Sequence, residues 1–163
     1  MASRASREVE LLVTGLEEAF QRRSWHGTNL LGSLRGLRPD PAAWRPAPGR
    51  HNIWEILVHT AYWKYAVARR ITGGKRGGFP FRGSNWFLRP VRGTKDELAD
   101  DLALLKRCHA ELVVVARTVP PGQLRRKPPT TRYTVEATLR GVAAHDLYHA
   151  GQIQLLKRLQ DGR

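Results

Sequence analysis

Thr134-Val135-Glu136-Ala137-Thr138-Leu139-Arg140-Gly141-Val142-Ala143-Ala144-His145-Asp146-Leu147-Tyr148-His149-Ala150-Gly151-Gln152-Ile153 is the stretch on which the fold turns. Thr134 is a good helix N-cap, and Val135, Leu139, Val142 and Ile153 supply apolar positions at helical spacing with no strand alternation. The pattern predicts a helix from Thr134 to about Gln160. His145 and His149 are four apart, so they leave one face a single turn from each other. That spacing lets two imidazoles reach one metal ion. It also suits a chance pair on a helix surface. Asp146, not Glu, follows His145 and points off the His–His face, so the zinc-protease pattern with its built-in base is missing.

Three more helices are predicted upstream. Val9, Leu12, Leu16, Ala19 and Phe20 form one stripe over about Ser6 to Arg23. A short helical piece follows around Leu30, Leu31 and Leu34. Pro39, Pro41, Pro46, Pro48 and Gly49 then predict a loop, because proline cannot donate the helix bond. Asn52, with Glu55 three residues on, opens a helix with a capping-box-like pair. Ile56, His59, Trp63 and Val67 share one face of it, and Gly73-Gly74 stops it. Residues 74–93 read as a long connection rich in Gly and aromatics (Phe79, Phe81, Trp86, Phe87), the kind of loop that serves as a lid or pocket wall. Thr94-Lys95-Asp96-Glu97 is a capping box, and Leu98, Leu102, Leu105, His109, Leu112 and Ala116 form the stripe of the helix it starts. Four amphipathic helices in this length predict an all-α four-helix bundle, one domain over residues 1–163.

Composition narrows the function classes. The chain has 163 residues, 28 Lys or Arg against 14 Asp or Glu, a net charge of +14 and 41% apolar residues. No run approaches the ~18 apolar residues of a membrane span. Met1–Arg7 lead straight into a helical pattern with no apolar leader, and Cys108 is the single cysteine, so no internal disulfide forms; both point to the cytoplasm. The charge splits evenly, +7 in residues 1–80 and +7 in residues 81–163, and the densest cluster is only Arg125-Arg126-Lys127. A solvated cationic surface is preferred over a nucleic-acid groove, although weak nonspecific polyanion binding follows from charge alone.

Six histidines occur. His59 lies on an inward stripe, and in a bundle one inward ligand plus a pair from another helix is a common route to a three-His site with open positions. The alternative for His59 is a hydrogen-bonded core residue. Gln152 lies on the same side of its helix as His149, placed to hydrogen-bond a metal ligand or a substrate, or merely to pack. Glu55 serves either as a cap or as an acceptor for an imidazole N–H. Trp25 and His26 are candidates for a pocket mouth, His109 for a further pocket residue or core packing, and Cys108 for a small apolar residue.

Trp54-Glu55-Ile56-Leu57-Val58-His59, followed by Ala61-Tyr62-Trp63, and Ala144-His145-Asp146-Leu147-Tyr148-His149-Ala150-Gly151-Gln152-Ile153 resemble the two motifs of the DinB/YfiT-like superfamily of metalloenzymes, unrelated to the DNA polymerase that shares the name. Trp25-His26-Gly27 and Trp44-Arg45-Pro46 also look similar, and the likeness spans roughly residues 8–160. The resemblance implies a four-helix bundle binding a divalent ion (nickel, zinc or iron) through His59, His145 and His149, often as a homodimer. It implies either a metal-dependent S-transferase using a low-molecular-weight thiol such as bacillithiol or mycothiol, with a maleylpyruvate isomerase among the relatives, or a metal-dependent hydrolase. The catalytic residues stay unknown, with Gln152 and His26 the candidates, and Arg82, Arg89 or Arg92 would bind a thiol's carboxylate. A non-catalytic metal or small-ligand binder is the alternative, and a nucleic-acid-associated basic protein the third.

Overall fold

The helix starts predicted from the sequence are made by side chains. Asn52 Oδ1 accepts the Glu55 N–H at 2.8 Å, and Thr134 Oγ1 accepts that of Ala137 at 3.1 Å. Thr94 and Glu97 form the full reciprocal box. In the computed structural model, residues 4–162 are described, so Met1–Ser3 of the N-terminal reading lie outside it. Among the described residues there are six α-helices and no strand: α1 Arg4–Phe20, α2 Leu30–Ser33, α3 Pro39–Ala43, α4 Ile53–Thr72, α5 Lys95–Thr118 and α6 Val135–Asp161, with a 3-10 turn at Pro121–Gln123 before α6. None is long and apolar enough to cross a membrane.

One local expectation is corrected. The Pro39–Pro41 loop is the short helix α3, because proline within a first turn removes only N–H groups that have no helical acceptor. In the Asn52/Glu55 pair the Asn52 side chain accepts from Glu55, while the Glu55 carboxylate is held mainly by Arg45 and His51, with a smaller contribution from the Asn52 backbone. α4 ends as expected, at Gly73 in the left-handed region with φ 75°.

The long helices pack in a cycle: α1 against α6, α6 against α4, α4 against α5, α5 against α1. Their apolar residues form two clusters. Phe20, Trp54, Leu57, Leu105 and Ile153 belong to one; Leu16, Val67, Leu112, Leu139 and Val142 belong to the other. Polar residues lie along the chain between the two sets on every long helix, and most are buried: Glu17 on α1, Lys64 on α4, His109 on α5, His145, Asp146 and His149 on α6; the buried His59 lies within the first set on α4. Lys64 and Asp146, both 0% exposed, form an ion pair across the α4–α6 contact. The His109 ring stacks on Phe20 with centroids 3.8 Å apart. It is therefore a core residue. Cys108 is likewise buried, its thiol pushed up to about 11 chiefly by burial.

Gly93 shows how tightly the 74–93 loop is seated. A Cβ there would fall 2.2 Å from the Trp54 ring, whose indole N–H is fixed to Asp101 at 2.7 Å. Arg89 pairs with the same carboxylate at 2.6 Å.

Two outcomes follow for stability. Lys64→Met leaves Asp146 buried without its cation and is expected to cost about 3–5 kcal/mol, whereas Lys64→Met with Asp146→Leu recovers most of it; urea unfolding checks both. Burial first, then the Lys64 charge, lowers His109 to about 3, and this outweighs Glu17 Oε2 lying 3.9 Å away. The unfolded chain therefore binds this proton below its ordinary value near 6.5 while the native fold does not. Stability is lost as pH falls from about 6.5 toward 3, at up to about 1.4 kcal/mol per pH unit from this group. His109→Leu is expected to flatten that part of the urea-midpoint profile.

Candidate metal centre

α4 and α6 bring His59, His145 and His149 together, with one ligand atom from each within 4.8 Å of the others. The approach is specific in its atoms. His59 Nε2 lies 3.1 Å from His145 Nε2, and His149 Nε2 lies 3.0 Å from the same atom. The far nitrogens of the two outer rings are engaged elsewhere. His59 Nδ1 donates to the Asn85 carbonyl at 2.7 Å, and His149 Nδ1 donates to Gln152 Oε1 at 2.7 Å. Each outer ring thus carries its hydrogen on Nδ1 and presents a bare Nε2 lone pair inward.

This arrangement is one hydrogen short. His145 Nε2 carries at most one proton, which serves one of its two neighbours and leaves the other contact as two facing lone pairs. Protonating a ring would fill the gap, but burial opposes it. Burial, then the adjacent imidazoles and Lys64, lowers His145 to about 3; burial, then His59, lowers His149 to about 4 against the pull of Gln152; burial likewise lowers His59. A cation at the focus satisfies all three lone pairs at once, so the donor set fits a divalent ion of the imidazole-binding kind. His145 Nδ1 is buried without a partner.

The long loop supplies the orienting shell that sequence reasoning did not see. The Trp86 indole is sandwiched between His51, at 3.5 Å between centroids, and His59, at 3.9 Å. His51 in turn donates from Nδ1 to Glu55 Oε2 at 3.0 Å. Arg45 holds the same carboxylate through two nitrogens and, with His51, keeps it below the ordinary carboxylate range despite its burial. Glu55 therefore accepts from an imidazole, as one sequence reading allowed, but from His51 and not from His59. Asn85 works twice: its carbonyl fixes His59 and its side-chain oxygen accepts the Trp63 indole N–H at 2.9 Å. No sequence signal marks a backbone carbonyl; Asn85 could have been suspected only from its place in the aromatic loop.

Two cavities flank the cluster. One, of about 660 Å³, is reached by His59 and His145 and runs along α4 past Trp63, Val67 and Arg70 to the loop at residues 130–133. The other, of about 570 Å³, is bounded by His51, Trp86, Tyr148, His149 and Gln152. A larger cavity, about 810 Å³, lies along α2 and α5 and touches none of the three histidines, so its size does not connect it with this chemistry. His26 is exposed and bonded to Ser24 at 2.8 Å; neither it nor Trp25 lines either flanking cavity. Of the loop arginines, Arg89 is paired with Asp101 and Arg82 and Arg92 are exposed. The arginines that do line the cavities are Arg70, Arg132 and Arg50.

Gln152 holds the His149 tautomer while its amide nitrogen donates to the Tyr148 hydroxyl at 3.0 Å. Gln152→Leu is expected to release that tautomer, so that imidazole ¹⁵N spectra show a mixture at His149 where the wild type shows Nδ1–H alone. An unchanged spectrum would contradict the assigned bond.

Comparison with known proteins adds one positive finding. No curated protein and no solved structure matches the chain. A sequence model of the DinB superfamily matches residues 22–153, a span that includes α4 and α6 through Ile153. The chain belongs to the DinB superfamily.

Proposed function

We propose that this protein is a metal-dependent enzyme whose divalent ion, nickel, zinc or iron, is held by Nε2 of His59, His145 and His149. The observation that carries the reading is the convergence of three neutral Nε2 atoms with one hydrogen too few, two of them locked by Nδ1 bonds to Asn85 and Gln152. The cycle of four long helices supports a four-helix bundle as the scaffold. A bound ion would supply Lewis acidity, favouring ionisation of a thiol or water at its remaining position.

The chain's own residues set the terms of that chemistry. Trp86 and Trp63 pack around His59 and keep bulk water from its ring. No carboxylate lines the 660 Å³ cavity. Of the two nearest buried ones, Asp146 is tied to Lys64 and Glu55 to Arg45. The site thus offers no obvious carboxylate base. A thiol, with an intrinsic pKa about 7 units below that of water, needs less help to ionise. This favours transfer of a low-molecular-weight thiol to an electrophile over hydrolysis. Cys108 cannot be the nucleophile, because it is buried in the core with a raised pKa. The thiol therefore comes with the substrates.

Zinc or nickel titration against a chelator tests the centre. Wild type is expected to bind one ion. His59→Ala, His145→Ala and His149→Ala are each expected to bind at least about tenfold more weakly, since even removal of an outer-shell partner costs that much. Equal binding in all four proteins overturns the centre. Conjugation of an electrophile by the metal-loaded protein with bacillithiol, mycothiol or glutathione then separates an enzyme from a binder; metal binding without turnover of any thiol or ester leaves the binder.

A further inference from the structure

The cavity beside His59 and His145 has a cation at its far end. His59, Trp63, Val67 and Arg70 follow one another at spacings of four, four and three on α4 and line the same cavity. The Arg70 side chain returns along the helix, so its guanidinium carbon lies 5.3 Å from the centroid of the Trp63 ring. That ring is also 6.4 Å from His59 and 6.3 Å from His145, centroid to centroid. One indole therefore separates the guanidinium from the cluster. Arg70 Nε is buried without a hydrogen-bond partner, and no carboxylate among the described residues pairs with Arg70. A buried unpaired donor on a charged group is costly.

Backbone strain singles out the same cavity. Among the described residues, only Asn85 (φ 70°) and Thr130 (φ 69°) are non-glycine residues in the left-handed region, and both line it. For β-branched Thr130 this conformation is a true outlier. Such strain, about 1–3 kcal/mol per residue, persists where the surroundings impose it and collects at ligand sites. The lining also holds a second cation, Arg132, no acid, and the apolar side chains of Val67, Ala137 and Val142. Its volume is that of a small-molecule site.

We propose that this cavity binds a small organic carboxylate, with the carboxylate on the Arg70 guanidinium and the apolar body along Trp63 and the Val67–Val142 wall, directed at the three-histidine cluster. The planar fork of arginine matches a carboxylate through two parallel N–H bonds. As the substrate of the reaction above, the ligand rests on the metal-dependent reading; as a binding site, the cavity stands on its own residues.

Calorimetric titration of the zinc-loaded full chain with benzoate, benzamide and phenyl phosphate tests it. Zinc content is measured in every sample, and the benzoate titration is repeated after chelation. Benzoate is expected to bind at least about tenfold more tightly than its neutral twin. The preference is expected to persist in the chelated protein and to fall about tenfold or more in Arg70→Gln with zinc content unchanged. Arg132→Gln, at the exposed mouth, is expected to weaken benzoate less. Equal binding of benzoate and benzamide, no benzoate binding at millimolar concentration, full affinity in a folded Arg70→Gln, or tighter binding of phenyl phosphate than of benzoate overturns the proposal. If Arg70→Gln does not fold, the wild-type comparison of the three probes decides. Arg70-dependent benzoate binding in a protein that takes up no zinc leaves the anion site standing and removes the metal-dependent reading instead.

Discussion

The structure depends on a polar layer closed inside an apolar bundle, and the Lys64–Asp146 pair is its fixed point. Both side chains are fully buried, so neither ion can trade its partner for water. A pair of this kind adds little net stability, because desolvation consumes most of the attraction. What it does impose is register. Lys64 is five residues beyond His59 and Asp146 is next to His145. A one-residue slide of α6 along α4 would break the pair and spread the histidines together. The cost of an uncompensated buried charge thus guards the geometry of the cluster, on the two helices that supply all three imidazoles.

Rigid helices place the rings, and the hydrogen-bond partners of their far nitrogens choose the tautomers. α4 and α6 bring the Nε2 atoms together, but helix geometry says nothing about which nitrogen carries hydrogen. That choice comes from the Asn85 carbonyl for His59 and, on α6 itself, from Gln152 for His149. Trp86 adds a stacking face, steadied behind by His51, Glu55 and Arg45. The loop therefore belongs to the site as much as the helices do, and its seating on Trp54 at Gly93 ties its position to the core.

Much of this was legible beforehand, and the omissions have physical causes. Helix starts were readable because Asn52, Thr94 and Thr134 act locally, through bonds to residues three positions on. The His145–His149 pair was readable because one helix face is a local property. His59 as their companion rested on motif resemblance, since convergence of two helices is not local. Lys64 and Asp146 carry no local signal of burial, since such residues are ordinarily exposed, and only tertiary packing buries them. Pro39 and Pro41 misled because the first turn of a helix needs no N–H from them. Arg70 follows Val67 by three residues on the face of His59 and Trp63, but its place beside the cluster depends on tertiary packing; of the loop arginines expected to bind a carboxylate, Arg89 is occupied by Asp101.

The large positive charge takes on a narrower meaning beside that cavity. A net +14 raises the local concentration of any anion near the protein, which speeds encounter and discriminates little. Screening over ~8–10 Å of salt solution weakens it further. Arg70 differs from the other cations in position rather than in charge. Its Nε is shielded from water and unpaired, and it stands one indole ring from the histidine cluster. Exposed arginines such as Arg132 can draw an anion to the mouth, whereas the half-buried Arg70, with its Nε closed off from water, is placed to reward a carboxylate over its neutral analogue. Selection in this protein therefore falls to a single buried donor group, and the abundant surface charge acts at most on the rate of arrival.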